Sequence, residues 1–296
     1  MILIVTANSS LGNAVARKLL TEGHAVRGLV RSPEKGEELA KLGAEIVTGD
    51  LRQPASLRRA CGGATAVVAA AHAFTCGWGN HSKRVDDQGH RDLIDAAIAA
   101  GVDHFVYTSA LGARPDHPVP FIRCKAAVEE YLQRSRIDYT IIRPSAFMEA
   151  HAHMLIGQPL LEKGKVSLFG RGESPRNFVS VVDVAEFVVI ALLNPRARGE
   201  IIEVGGPGNY TNKQVAELYA RGINGDVKIG HMPRFMLRTM STLTRPFQPG
   251  MSQIMRFALL DDIEGSPFDP TPTLERYPVE LMELEDFVHQ QLTSAA

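Results

Sequence analysis

A turn of small polar residues follows the first apolar segment of the chain and could bind a phosphate. Residues 6–12 read TANSSLG, directly after ILIV and before a helical pattern. Backbone N–H groups at a helix N-terminus bind anions, helped by the helix dipole. Asn8, Ser9 and Ser10 can add side-chain hydrogen bonds, and Gly12 is the one glycine of the turn. We expect a nucleotide phosphate here; the alternative is a capped helix without a ligand.

A cationic side chain follows the second apolar segment, at the place that faces the adenosine ribose in a nucleotide-binding α/β sheet. Arg31 comes directly after residues 25–30, and Lys35 lies four residues further on. An acidic residue at this place binds the free 2′-hydroxyl of NAD, whereas a guanidinium binds the 2′-phosphate of NADP. The pair predicts NADP(H) as the cofactor, against the alternative of two solvated surface charges.

The ends of the third and fourth apolar segments supply further candidates. Asp50 and Leu51 follow the third segment, where we expect the adenine. After the fourth, small residues would let the cofactor lie against the backbone, and two aromatic side chains would point towards the reaction centre: Ala69, Ala70, Ala71, His72 and Phe74. The alternative for His72 is a loop histidine with ordinary hydrogen bonds.

Short apolar segments alternate with helical patterns over the first half of the chain. Continuous apolar strands separated by helices indicate a parallel sheet covered on both faces. Right-handed crossovers then predict an α/β, doubly wound Rossmann fold. The predicted strands are 2–5, 25–30, 44–47, 66–70, 104–108 and 139–142, and the predicted helices are 11–20, 33–42, 54–60, 86–100 and 119–134.

The alternation changes after residue 143, which predicts a smaller, partly helical lobe that caps the substrate. Residues 1–145, with 176–205 returning to them, are the predicted NADP-binding domain, and 146–175 with 206–296 form the capping region. The capping lobe is expected at the carboxyl edge of the sheet, where ligands of open α/β sheets bind. Its predicted elements are helical residues 147–164, two helices within 231–260 and a final helix over 280–292; 177–193 form a strand and a helix, and 200–206 a strand.

The composition is that of an ordinary globular protein. The 296 residues are 45% hydrophobic and 22% charged, with a net charge of −1, which predicts neither a nucleic-acid nor a membrane partner. No apolar run approaches the roughly 18 residues of a membrane span. Cys61, Cys76 and Cys124 lie far apart and read as reduced thiols of a cytoplasmic protein. The histidines lack the ligand spacing of a zinc site, so no metal is expected.

Several blocks of the sequence resemble the atypical short-chain dehydrogenase/reductase superfamily, specifically its NmrA-like branch. They are residues 2–31, GVDHFVYTSALGA, PVPFIRCKAAVEEYL, DYTIIRPSAFME, NFVSVVDVAEFV and EVGGPGNYT, in the family's order from residue 1 to roughly 290. The resemblance implies a Rossmann domain that binds NAD(P)(H). It implies either a reductase or a redox-sensing regulator without catalysis, because the family contains both.

Two motifs depart from the family pattern. The turn TANSSLG is one residue shorter than the family's T-G-A-T-G-x-x-G and lacks its first two glycines. Short-chain reductases use Tyr-x-x-x-Lys, in which the lysine binds the nicotinamide ribose and the tyrosine protonates the substrate. Here Lys125 is present, Phe121 replaces the tyrosine, and Ser109 stands at the place of the assisting serine. The resemblance also places the nicotinamide amide at RPSAFM, residues 143–148.

The resulting prediction is an NADP(H)-dependent reductase of a ketone or quinone, acting on a flat aromatic, polyketide-like substrate. The proton would come from a water held by Ser109, from His72, or from the substrate. A non-catalytic redox sensor and an isoflavone-reductase-like alkene reductase are the alternatives. The catalytic candidates are Lys125, Ser109 and His72. The cofactor candidates are Thr6, Asn8, Ser9, Ser10, Leu11, Gly12, Arg31, Lys35, Asp50, Leu51, Ala69, Ala70, Ala71, Lys125, Pro144, Ser145 and Phe147. The substrate candidates are Phe74, Trp78, Phe121, Met148, His151, Met154, Met236 and Met240.

Overall fold

The computed structural model describes residues 1–71, 83–223, 225–244 and 246–295. The chain divides into two compact units. The first comprises Met1–Arg143 and Val184–Glu203, and the second Pro144–Asp183 and Val204–Ala296.

A seven-stranded sheet dominates the first unit. Its strands run β1 (Ile2–Val5), β2 (Val26–Val30), β3 (Glu45–Thr48), β4 (Ala66–Ala69), β5 (His104–Thr108), β6 (Asp138–Pro144) and β10 (Ile201–Val204). The order across the sheet is β10-β6-β5-β4-β1-β2-β3, and every pair from β6 to β3 is parallel. The order reverses between β1 and β4, the switch point at which such sheets bind ligands. The predicted α/β fold is confirmed.

Helices connect these strands, and their apolar faces pack on the sheet. They are α1 (Ser10–Thr21), α2 (Glu37–Lys41), α3 (Pro54–Cys61), α4 (His90–Ala99), α5 (Pro120–Gln133) and α7 (Val181–Leu193). A buried apolar cluster that includes Leu3, Leu93, Phe105 and Leu132 fills the space between β-strands and helices. Pro33–Gly36 forms a 3₁₀ turn before α2, and Lys83–Gly89 forms a π-helical segment before α4.

The second unit contains two small sheets and several helices. Strands β7 (Ala146–Phe147), β9 (Arg176–Val179) and β11 (Asn209–Tyr210) form one sheet, and β8 (Lys165–Phe169) pairs with β12 (Lys228–Met232) in the other. The helices are α6 (Gln158–Lys163), α8 (Asn212–Gly222), α9 (Arg234–Thr244), α10 (Pro249–Glu264), α11 (Thr271–Arg276) and α12 (Leu284–Ala295), with a π-helical segment at Met148–Gly157.

Two differences from the predicted boundaries have a cause in the contacts of the described residues. The sequence predicts that residues 176–183 return to the nucleotide-binding domain, but they cluster with the second unit because β9 pairs with β7 and β11. The sequence also predicts a final helix from residue 280, but α12 begins at Leu284. The Met282 N–H donates to the Asp183 carboxylate at 3.0 Å, which holds this stretch outside the helix.

Among the described residues, no helix is both long and apolar enough to cross a bilayer. No group of three or more metal-ligating side chains is found in the same described ranges.

Candidate cofactor and active site

Thr6 explains how the turn after β1 closes without its usual glycines. Its φ of +58° is left-handed, and it is the one non-glycine residue with a positive φ in the described part of the chain. The Thr6 hydroxyl donates to the Val5 carbonyl at 2.6 Å, and the Thr6 carbonyl accepts from the Ser9 N–H at 2.9 Å. A threonine therefore adopts the conformation that glycine adopts most readily.

Gly12 is the position at which the turn requires a glycine. A Cβ atom there would overlap with the carbonyl oxygen of Thr6 and lie 3.1 Å from the Cα of Ala7. Both are backbone atoms of the same turn, so neither can move aside as a flexible side chain could. The glycine retained in TANSSLG thus lets the start of α1 approach the end of β1.

The start of α1 leaves backbone donors available for an anion. The Ser9 hydroxyl accepts from the Gly12 N–H at 3.1 Å and so caps the helix. The N–H groups of Ser10 and Leu11 have no hydrogen-bond partner within the described residues, and the side chains of Asn8 and Ser10 are exposed. Two free N–H groups at the positive end of a helix dipole fit a phosphate group.

Two exposed cations, Arg31 and Lys35, follow β2, the strand that pairs with β1. Arg31 follows β2 directly, and Lys35 lies in the 3₁₀ turn; neither makes an ion pair with another described residue. Asp50 forms a double hydrogen bond with Arg52, at 2.8 and 2.6 Å. This contact is the main reason why the pKa of Asp50 is lowered, and Arg31 adds a smaller effect in the same direction. Arg31 keeps its guanidinium available for a phosphate.

The candidates at the ends of β3 and β4 are small or buried. Leu51 is buried, and Ala69, Ala70 and Ala71 are buried at the carboxyl end of β4. His72, Phe74 and Trp78 lie outside the described residues.

Lys125 lies inside the first unit with its ammonium group held by backbone carbonyls. Its Nζ donates to the carbonyl oxygens of Thr108 at 2.8 Å and Ala71 at 3.4 Å. The same nitrogen lies 4.9 Å from the ring centre of Tyr107 and 5.6 Å from that of Phe121. Burial lowers the pKa of Lys125, while the carboxylates of Asp86 and Glu129 act in the opposite direction. One of the three N–H bonds remains for a ligand.

Two hydroxyl groups near Lys125 have no partner within the described residues. The Oγ atom of Ser109 and the Oγ1 atom of Thr108 are both buried, and no protein group accepts from or donates to either. The Ser109 N–H donates to the Ile142 carbonyl at 2.7 Å, which fixes its backbone between β5 and β6. A buried hydroxyl without a partner is a costly arrangement unless a ligand or water completes it.

The two described cysteines of this unit, Cys61 and Cys124, are buried thiols. Burial raises the pKa of the thiols of Cys61 and Cys124 to about 11, and both are free. Cys124 stays protonated at neutral pH although Lys125 is the next residue, because desolvation outweighs the neighbouring charge.

The second unit fixes the segment that follows β6. Ser145 donates its N–H to the Val204 carbonyl at 2.8 Å and its hydroxyl to Asn177 Oδ1 at 2.8 Å. Asn177 also accepts from the Gly206 N–H at 2.7 Å. Pro144 is buried, and Phe147 is half-buried in β7. These bonds hold the RPSAFM backbone in one conformation.

The predicted substrate residues of the second unit fall into different environments. Met148 is buried in the core of the second unit with Phe178 and Tyr219. His151 lies 3.4 Å from the buried guanidinium of Arg176. The remaining three residues are exposed or half-buried: Met154, Met236 and Met240.

Sequence reasoning did not single out two residues with structural roles, Asn177 beside Ser145 and Tyr107 beside Lys125. The sequence analysis places Asn177 in a strand and gives it no role. The signal that could have identified it is its amide side chain, which can both donate and accept hydrogen bonds. Tyr107 lies two residues before Ser109, and its ring contacts Lys125 and, edge-on, His90, with 5.3 Å between ring centres. The alternation of side chains along β5 was the signal for Tyr107.

Comparisons with known proteins place the chain among NAD(P)H-binding proteins. A family model described as NAD(P)H-binding matches residues 7–195. The chain is 28% identical over 295 residues to the photosystem II assembly factor Ycf39 of Trieres chinensis, covering 97% of this chain and 91% of that protein. It is 31% identical over 218 residues to the NAD(P)H azoreductase of Xenophilus azovorans, covering 73% of this chain and 71% of that protein.

Among solved structures, the fold is similar to an NADPH-dependent quinone oxidoreductase from Escherichia coli, complexed with NADPH. The TM-score is 0.79 at 22% identity, and the alignment covers 98% of this chain and 99% of the other. At this identity the similarity concerns the fold.

Proposed function

This chain belongs to the NAD(P)H-binding protein family, and we propose that it is an NADP(H)-dependent reductase of a ketone or quinone. The observation that carries the proposal is the buried Lys125, whose Nζ is fixed at 2.8 Å from the Thr108 carbonyl with Phe121 beside it. A lysine held in this way can bind a ribose hydroxyl. Because Phe121 has no proton to give, the reaction must obtain its proton elsewhere.

The preference for NADP(H) rests on Arg31 and Lys35. Both are exposed cations without an ion pair among the described residues, and Arg31 directly follows β2. A guanidinium binds a phosphate through two parallel hydrogen bonds, so it favours the 2′-phosphate over a 2′-hydroxyl. The expected phosphate contacts in the turn are the N–H groups of Ser10 and Leu11 with the side chain of Asn8.

The proposed substrate is a flat aromatic, polyketide-like ketone or a hydroxyquinone. The bound cofactor supplies the hydride. The Ser109 hydroxyl, which has no partner within the described residues, donates to the substrate oxygen and stabilises its developing negative charge. The proton then comes from a phenol that is hydrogen-bonded to the same oxygen within the substrate. A binding pocket lined mostly by apolar side chains would suit such a flat ring system.

The test is NADPH oxidation with a panel of polycyclic hydroxyquinones and aromatic ketones, using the wild type, Ser109→Ala and Ser135→Ala. Ser135, whose hydroxyl bonds to the Leu132 carbonyl at the end of α5, is the matched control. We expect Ser109→Ala to lower kcat about 10²-fold, the typical cost of losing one oxyanion donor. Ser135→Ala should keep the wild-type kcat. No turnover with any member of the panel would overturn the proposal.

A second candidate function is a redox sensor that binds NADP(H) without catalysis. Relatives named photosystem II assembly factors match nearly the whole chain, and the tyrosine of the catalytic pair is absent. Calorimetric titration with NADP⁺ and NADPH measures binding of both forms, and the turnover assay above separates the two functions. A sensor would bind the two forms with different affinities and reduce nothing, whereas the proposed reductase turns over.

A further inference from the structure

Helices α9 and α10 form a hairpin that carries several strongly exposed apolar side chains. Phe235, Leu243 and Phe247 are 71%, 66% and 74% exposed, and Met236 and Met251 are also exposed. Single exposed apolar residues are common on protein surfaces, but five within 17 residues form a patch.

Phe235 and Leu243 lie on the side of α9 that faces away from its contact with α10. Leu237 and Ser241 are the buried residues of α9, and the Ser252 hydroxyl of α10 donates to the Ser241 carbonyl at 2.6 Å. With 3.6 residues per turn, Phe235 and Leu243 lie on the opposite side of the helix from this contact. The apolar face is therefore presented outward, while a different face holds the hairpin together.

The segment that carries the patch is cationic up to the last turn of α10, where Asp261 and Asp262 pair with Arg176 and Arg234 and Glu264 ends the helix. Residues 227–260 contain four arginines and one lysine but no aspartate or glutamate, in a chain with 33 acidic residues and a net charge of −1. Arg234 is paired with Asp262 at 2.6 Å. Arg238 and Arg256 are exposed and form no ion pair with other described residues. Arg238 lies about 60° from Phe235 around the axis of α9, at the edge of the apolar face.

We propose that the α9–α10 hairpin docks this protein on an anionic lipid surface. An outward apolar face bordered by arginines is the pattern of helices that lie in the membrane interface, where Phe and Leu enter the acyl boundary and cations contact the headgroups. The near-neutral charge of the whole chain predicts no membrane partner, but residues 227–260 depart locally from that balance. The docking is peripheral and needs no membrane-spanning helix.

The charges argue against a second copy of the chain as the occupant. A symmetric dimer through this face would bring Arg238 of each copy to the same interface, and Arg256 as well. The carboxylates of Asp261 and Asp262 in α10 are already paired with Arg176 and Arg234, so they do not neutralise these arginines. Anionic headgroups complement the same cations.

The experiment is co-sedimentation with vesicles of phosphatidylcholine alone and of phosphatidylcholine with phosphatidylglycerol. We expect binding to the anionic vesicles only, and weaker binding as salt is raised. Arg238→Glu/Arg256→Glu and Phe235→Ser/Leu243→Ser should each lower the partition coefficient at least about tenfold. The matched controls are Arg58→Glu/Arg59→Glu in α3 and Leu42→Ser, all at exposed positions outside the hairpin, and these should bind as the wild type does.

Absence of binding to anionic vesicles at low salt would overturn the proposal. So would equal binding by the hairpin variants and their controls, or dimerisation in light scattering that the Phe235→Ser/Leu243→Ser variant abolishes. Circular dichroism confirms that each variant is folded. NADPH oxidation without vesicles is measured separately, so a failed docking proposal is distinguishable from a failed reductase proposal.

Discussion

The side-chain nitrogen of Lys125 lies 2.8 Å from the carbonyl oxygen of Thr108, which ties α5 to the end of β5. The second carbonyl, that of Ala71, comes from the end of β4. The lysine is thus oriented by the ends of β5 and of β4, the strand next to the switch point of the sheet, and neither contact involves residue 121. In the proposed reductase, binding of the cofactor by Lys125 and donation of the proton are therefore separate.

Restoring a tyrosine at residue 121 should supply the missing proton donor. The Phe121 ring centre lies 5.6 Å from Lys125 Nζ, close enough for the lysine charge to lower the pKa of a phenol there. With simple ketones that carry no neighbouring phenol, we expect Phe121→Tyr to raise kcat on the order of 10- to 100-fold. Steady-state NADPH oxidation measures this gain.

Phe121→Leu is the control, since it changes the ring without adding a hydroxyl and should give no gain. An unchanged kcat in Phe121→Tyr, with NADPH affinity retained, would show that residue 121 does not face the reacting carbonyl.

Adding one carbon to Gly12 should weaken cofactor binding. The new Cβ in Gly12→Ala would overlap with the Thr6 carbonyl and push the turn away from α1. We expect at least tenfold weaker NADPH binding, about 1.4 kcal/mol, by calorimetry. Gly62→Ala is the control, because a Cβ there meets its nearest atom at an ordinary 3.4 Å. Wild-type affinity in Gly12→Ala would contradict the role of the turn.

The turn also shows what the sequence could and could not predict. The retained Gly12 and the alternating segments predict a strand, a turn and a helix, and these are found. The left-handed Thr6 was not predictable, since threonine rarely adopts this conformation. The hydrogen bonds of Thr6 with the Val5 carbonyl and the Ser9 N–H offset the energetic cost of this backbone conformation.

The second unit was harder to predict because its elements are short. The sequence analysis did not predict strands β8 and β12. It also missed α8, although the sequence displays the capping box of this helix, formed by Thr211 and Gln214. Met148 matches a pattern typical of a substrate surface, yet it is buried. Apolar periodicity identifies a face but does not say whether protein or ligand covers it.

Asn177 should contribute strongly to the stability of the second unit. Its side chain bonds to Ser145 and to both the N–H and the carbonyl of Gly206. Asn177→Ala leaves these partners unsatisfied, which should lower the free energy of unfolding by about 3 kcal/mol. Urea denaturation measures the loss. Asn194→Ala, which removes one bond to the Arg196 N–H, should cost about 1 kcal/mol. Equal losses in the two variants would contradict this role.

His104 should make the first unit less stable in mild acid. Burial lowers its pKa from 6.5 to about 4. Between these values the unfolded chain binds a proton and the folded chain does not, so stability is full above pH 6.5 and falls towards pH 4. At pH 5 the expected loss is about 2 kcal/mol relative to pH 7.5.

The measurement is the free energy of unfolding in urea at both pH values. In His104→Asn the dependence on pH should be smaller by that amount, while substitution of the exposed His289 by Gln should leave it as in the wild type. The same pH dependence in His104→Asn would assign the effect to other groups.

The most direct test of the proposed reductase follows a deuterium label from NADPH to product. The enzyme is supplied with NADPH deuterated at the nicotinamide C4 and an aromatic ketone that has a phenol beside its carbonyl. The proposal predicts deuterium on the former carbonyl carbon of the alcohol product, formed without a protein tyrosine. Deuterium on a carbon of a former C=C bond, or NADPH binding without any labelled product, would contradict it.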